Sequence, residues 1–228
     1  MTNLNADFSQ RVAVHAAKVP WIPSPLPGVE RRMLDRVGDE LARATSIVRY
    51  APRSSFSPHV HGGGEEFFVL EGVFQDESGS FPAGFYVRNP PGSQHAPYSE
   101  PGCVIFVKLW QFDEDDLEDV RIDTRTLAYH ADPHRPGVEA KLLFQKTPET
   151  VSMERWAPHA HIHCALLPDG AEYLVLDGSF SENGEIFERL SWLRLPPGST
   201  FEAKAGASGC ELWVKKGHLR PEHIRVPS

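Results

Sequence analysis

Cysteine is scarce: Cys103, Cys164 and Cys210 are the only three in 228 residues. Three thiols so far apart make neither a disulfide framework nor a Cys-rich zinc motif. They read as small buried hydrophobes, and the chain as a resident of a reducing cytoplasm. No apolar run approaches the ~20 residues that a membrane-spanning helix needs. The opening MTNLNADFSQR lacks the apolar stretch of a secretory signal. Positive charge is also short, with 23 Lys and Arg against 31 Asp and Glu for a net charge of −8. Without a basic cluster, nucleic acid and anionic membrane are excluded as expected partners. Helical periodicity is the last thing missing.

What remains is a chain of short apolar runs punctuated by 20 Pro and 18 Gly. Runs at 44–50, 66–70, 85–88, 103–110, 172–176, 192–195 and 211–215 are dominated by β-branched and aromatic residues. They read as strands, and the chain as all-β, a sandwich or barrel. Residues 30–40 pass for a helix on composition, but Pro27-Gly28 and Gly38 bracket them as two strands and a turn.

The chain repeats itself. GGEEFFVLEGVF (63–74) matches DGAEYLVLDGSF (169–180), and YVRNPPGS (86–93) matches WLRLPPGS (192–199), both at an offset of 106. PGCVIFVKL (101–109) answers SGCELWVKK (208–216), and PGVERRML (27–34) answers PGVEAKLL (136–143). A repeat this long is domain-sized, well above a solenoid period. Two tandem β-domains are expected, 1–120 and 121–228, with the acidic FDEDDLED (112–119) as a solvated linker between them.

Two stretches of the first half fit together as one metal site. HVHGGGEEFFVLEG (59–72) has the spacing H-x-H-x3-E-x6-G, and GFYVRNPPGSQH (84–95) has G-x5-P-x-G-x2-H. Side chains alternate along a strand, so His59 and His61 face the same way. Gly62–Gly64 allow a tight turn. Glu65 then returns toward the same interior, and Pro90-Pro91-Gly92 turns the chain so that His95 stands opposite. Glu66 competes with Glu65 as the carboxylate; the shorter spacing favours Glu65, and alternation then turns Glu66 away. Imidazole and carboxylate donors suit Fe, Mn, Zn, Ni or Cu better than Ca or Mg.

With these residues in place the chain resembles the ChrR-type cupins over most of residues 27–216. The family pattern has Gly six residues before the first His, where this chain has Arg53, and Asn four residues after the last, where it has Ser99. The resemblance implies a bicupin of two jelly-roll barrels, with His59, His61, Glu65 and His95 on one divalent transition metal, zinc or iron first and manganese or nickel next. ChrR is an anti-sigma factor with an N-terminal His-Cys-Cys zinc module, and residues 1–50 contain no cysteine.

Carried across by 106, the four ligand positions become Ala165, Leu167, Ala171 and Phe201. The second barrel is expected to keep the scaffold, bind no metal there and offer an apolar pocket. His159, His161 and His163 read as an ordinary half-exposed strand face, with a second metal site as the alternative. His15, His130, His134, His218 and His223 are treated as structural. Two functions fit: an oxygenase-like or lyase-like enzyme acting on a small oxygenated molecule, or a ChrR-like regulatory or stress-sensing module whose zinc is structural or sensory. The aromatics Phe67, Phe85, Tyr86, Phe106 and Trp110 read as core more readily than as a substrate cage. Fusing two barrels mimics the pairing of single cupins, and a homodimer of the whole chain stays open.

Overall fold

The computed structural model describes residues 2–39 and 41–227, the side chain of His223 excepted. It is built of strands, with three 3-10 turns. No helix among the described residues is long and apolar enough to cross a membrane. Each apolar run picked out above lies on a strand, with Trp110 one residue past the end of Cys103–Leu109. Residues 29–38 form one strand rather than two, and Glu40 lies outside the described residues.

The chain divides into two compact units. The first comprises 1–6, 19–126 and 224–228, the second 7–18 and 127–223. This differs from a single cut after residue 120. Val120–Asp123 pairs antiparallel with Phe85–Asn89 and completes the sheet of the first unit. Val12–His15 pairs in the same way with Ser191–Leu195 in the second. Each strand leads into a 3-10 turn, Thr124–Thr126 and Ala16–Lys18. The two strands are counterparts, and each completes the barrel built from the other half of the chain. Sequence matching between the halves began at PGVE, downstream of both, so this exchange was invisible to it.

Within the first unit the main sheet runs Val29–Gly38, Ala42–Tyr50, Cys103–Leu109, Glu65–Asp76, Phe85–Asn89, Val120–Asp123. The second unit repeats the order as Val138–Lys146, Glu149–Trp156, Ser199–Lys216, Ala171–Glu182, Ser191–Leu195, Val12–His15. Alternation sorts the faces. Phe67, Val69, Val87, Ile105 and Val107 point inward and form a buried cluster with Tyr50, Phe74 and Phe81.

The acidic segment is not a plain solvated linker. Phe112 and Asp116 are buried, and Asp116 is ion-paired to the fully buried Arg88. A buried carboxylate needs such a partner, so this part of the run anchors the chain. Two of the three cysteines are buried as expected, while Cys164 is only partly buried. Cys103 and Cys210 are buried, and burial pushes their thiols up to about 11 and about 12.

Candidate metal centre

Three short elements bring the imidazoles together. His59–Val60 pairs with Gln94–His95, placing His59 directly across from His95. The His61 carbonyl accepts from the Gly92 amide at 2.8 Å, tying the first motif to the Pro-Pro-Gly turn. Gly62 and Gly63 lie under Trp110: a Cβ on Gly63 would come within 2.4 Å of that ring. Gly64 adopts φ +77° against the Phe112 ring. The triple glycine is therefore needed for close packing as well as for the turn.

Ring centroids of His61 and His95 are 4.6 Å apart, and each lies 5.0 Å from His59. Ligand-capable atoms of the three all fall within 4.8 Å of one another, the only such group among the described residues. Glu65 Oε2 sits 3.6 Å from His61 Nε2 and 3.5 Å from His95 Nε2. These gaps are too long for hydrogen bonds. They match two donors sharing one cation at bond lengths of about 2.1 Å. His61 and His95 are buried, and their Nε2 atoms have no hydrogen-bond partner. A buried polar atom without a partner costs about 1–3 kcal/mol unless something completes it. The donor set fits an imidazole-carboxylate metal site. Glu66, the rival carboxylate, accepts from the Tyr86 hydroxyl at 2.5 Å on the opposite face.

Around the donors stands a supporting layer. His95 Nδ1 lies 3.2 Å from Asp76, His61 Nδ1 3.3 Å from Ser93 Oγ, and His59 Nδ1 3.1 Å from the Ser57 carbonyl. Each contact occupies Nδ1 and leaves Nε2 to the site. Burial alone would depress the His95 imidazole, but the Asp76 bond and the Glu65 charge outweigh it and raise its pKa. Burial wins at His61, which is lowered despite Glu65. Glu65 is held in turn: Asn89 Nδ2 donates to its Oε2 at 2.9 Å, and Arg121 donates to Asn89 Oδ1 at 2.6 Å. Asp76, Asn89 and Arg121 were not singled out from sequence. One signal was there: YVRNPPGS and WLRLPPGS differ just before the turn at Asn89, where the repeat has Leu195.

Beside the donors is a cavity of about 430 Å³. His59, His61 and Glu65 form part of its wall, with Val29, Val48, Ile105 and Val107 elsewhere. Tyr50 also lines it. Burial first, then the Glu65 charge, raises the Tyr50 phenol well above its ordinary range, so it stays protonated.

Three of the four second-barrel positions stand as the offset places them. His59 is the exception. A bulge between Cys164 and Leu167 puts Cys164, not Ala165, across from Phe201. Leu167 and Phe201 are buried in the core cluster with Trp156, Tyr173 and Phe180. His159 sits at φ +60° in a turn before the His161–Leu167 strand, so it does not share a strand face with His161 and His163. His163 faces Glu202 at 3.2 Å, and both are exposed. Among the other histidines, His15 contacts Ser191 and Glu185, and His218 contacts Glu172.

The sequence matches the ChrR Cupin-like domain family over residues 9–113 and again over 117–220. The chain belongs to that family. Each match begins just ahead of an exchanged strand, so the sequence repeat and the compact unit are offset from one another. Solved structures similar to this chain are cupins and bicupins at low identity. A candidate dioxygenase from Nostoc punctiforme aligns with TM-score 0.77 and 16% identity, covering 96% of this chain and 87% of that one. A bacterial pirin from Escherichia coli in complex with nickel(II) aligns with TM-score 0.66 and 14% identity, covering 91% and 98%. Oxalate decarboxylase from Lactobacillus farciminis, in a formate complex, aligns with TM-score 0.63 and 12% identity, covering 92% and 86%. A search of curated proteins finds no match. At these identities the likeness establishes the fold.

Proposed function

We propose that the first barrel is a mononuclear metal enzyme of oxygenase-like or lyase-like type, with His59, His61, Glu65 and His95 as ligands and a small oxygenated molecule as substrate. The observation that carries this reading is the cavity of about 430 Å³ that opens directly on the donor cluster. Its size lies within the range of small-molecule sites. A metal held only to stabilise a fold is closed off by its four ligands, whereas a catalytic one keeps a position open toward a pocket.

When bound, a divalent transition metal would supply Lewis acidity and a template for orienting oxygen donors. The protein's part is preorganisation. Asp76, Ser93 and the Ser57 carbonyl fix the three imidazoles with Nε2 inward. Asn89, backed by Arg121, fixes Glu65. Tyr50 keeps its proton in the cavity wall and offers a hydroxyl to an oxygen of the substrate. The apolar wall excludes water from the rest of the substrate.

The test is metal analysis of protein purified without chelators or added metal, followed by oxygen uptake on a diketone. About one equivalent of iron, manganese or nickel with uptake is expected. One equivalent of zinc that resists exchange, with no reaction, would favour the sensor reading instead. In His95→Ala, metal content should fall well below stoichiometric; full retention would sink the ligand assignment.

A further inference from the structure

Two arginines of the cavity wall lie outside the donor cluster, Arg31 and Arg36. Arg31 stands on the Val29–Gly38 strand. Its Nε is buried without a hydrogen-bond partner, and no ion pair to Arg31 occurs among the described residues. Its neighbours are engaged: Arg32 and Arg49 stack on Trp21 at 4.2 and 4.4 Å, and Arg36 donates to the Gly38 and Asp39 carbonyls.

The second barrel shows how the same row is treated when no ligand is served. Arg31 pairs with Val48 across the ladder, and the counterpart pair is Ala140 with Glu154. There the charge sits on the other strand and is fully answered from within. Glu154 takes Arg135 at 2.9 Å, Lys216 at 3.2 Å and the Trp156 indole at 2.8 Å. The first barrel leaves its cation open to a cavity.

Register sets the separation. Glu65 stands in the row Leu109, Ala44, Arg36, while Arg31 stands in the row Val48, Ile105, Val69. Four residues separate the rows, about 13 Å along the sheet. Val107 and Ser46 line the space between, with Val48 and Ile105 at one end and Leu109 at the other. We infer that the substrate is a small organic carboxylate whose anionic end is held by Arg31 and whose oxygenated end reaches the histidine cluster across an apolar spacer. One planar guanidinium matches one carboxylate bidentately. Arg31 lacks a carboxylate partner among the described residues, while Arg36, the other arginine of this wall, is spent on the Gly38 and Asp39 carbonyls, so the site suits a single negative charge rather than a polyphosphate. The inference rests on the metal-site proposal for its far end only.

A probe with both ends is 4,6-dioxoheptanoate, a diketone carrying a terminal carboxylate, compared with its methyl ester. Calorimetric titration of the full chain, metal-loaded and metal-free, reads the two ends separately. The acid is expected to bind at least about tenfold tighter than the ester, the scale of a charge-assisted pair. Arg31→Gln should abolish that preference without changing metal content. Arg31→Lys, which keeps the charge but loses the fork, should retain part of it and guards against a folding defect in the first variant. Equal affinity for acid and ester, a preference that survives Arg31→Gln, or no binding of either form overturns the inference. If wild-type protein takes up no metal, the metal-site reading fails alone, because the acid–ester comparison on metal-free protein still stands or falls on Arg31.

Discussion

The two barrels share a strand order and differ in what fills them. In the first, His59, His61 and Glu65 border a cavity, with His95 beside them. In the second the same rows hold Leu167, Ala171 and Phe201, packed with Trp156 and Tyr173 in a core cluster, and Cys164, partly buried against it. The supporting residues change together with the donors. Asn89 has Leu195 as its counterpart, and Arg121, opposite Val87, has Ala13, opposite Leu193. Asp76 corresponds to Glu182, which stays acidic but pairs with Arg11 at 2.5 Å. Donors and support thus behave as one unit. Without Glu65 to accept from it, the buried Asn89 amide would be a polar group left unsatisfied. The scaffold needs none of them. A jelly roll closes on strand pairing and apolar faces, so the hollow barrel gives up packing that the filled one keeps.

Filling is the difference to break first. Phe201 is 1% exposed and stacks on Tyr173 at 4.6 Å. Phe201→Ala should destabilise the second unit by about 3–5 kcal/mol, read by denaturant unfolding through the fluorescence of Trp156, Trp192 and Trp213. Metal content should not change. A loss below about 1 kcal/mol would mean that the second core is as loosely filled as the first.

The buried charge comes next. Burial works to raise the Glu154 pKa, but Lys216 and Arg135, with hydrogen bonds from Arg135 and Trp156, outweigh it and hold the group at about 2 against an ordinary 4.5. A depressed carboxylate stabilises the fold above its unfolded pKa and loses that contribution as pH falls toward the folded value. The window is therefore about 4.5 down to about 2. Glu154→Gln should cost about 3 kcal/mol at pH 7 and little near pH 2. A loss that is the same at both ends would mean the charge is not what matters. Val48, its counterpart in the first barrel, should show no such pH dependence when replaced by Ala.

Support for the donors gives a smaller and more selective effect. Asp76→Asn keeps the shape but removes the charge that orients His95. Metal affinity should fall about 10- to 100-fold, measured by competition with a chelator. Glu182→Gln, the matching change in the second barrel, should leave metal affinity unchanged. Equal losses from both would deny the division between the barrels.

Much of this contrast is readable in the chain, and where it is not the reason is physical. Donor spacing is short-range: His59, His61 and Glu65 are set by alternation and one turn, and the second motif's turn places His95. The loss of donors in the repeat is equally local. Supporting contacts are not. Arg121 reaches Asn89 from a strand that lies in the second sequence repeat, so no local pattern joins them. Cys164 takes the place given to Ala165 because a bulge adds one residue to its strand, and a fixed offset cannot see a bulge. Asp116 looks like every other member of an acidic run until Arg88 is brought to it.

The smallest expected effect concerns a departure from the family pattern. Where that pattern has Gly, this chain has Arg53 at φ +63°, and its repeat has His159 at φ +60°. Both backbones take the left-handed form that the pattern's glycine anticipates. Arg53 N–H donates to the Ser99 carbonyl at 2.8 Å, and His159 N–H to the Gly206 carbonyl at 3.1 Å, so the turn is fixed whichever side chain occupies it. A side chain there costs about 1–2 kcal/mol. Glycine removes that strain but loosens the unfolded chain by up to about 1 kcal/mol. Arg53→Gly should therefore stabilise the first unit by roughly 0.5 kcal/mol, and His159→Gly the second by as much, both seen as a small rise in melting temperature. Because the two turns are alike where the barrels otherwise differ, the two variants must agree in sign. If one stabilises and the other destabilises, the turns carry different loads, and the scaffold itself has diverged along with the site.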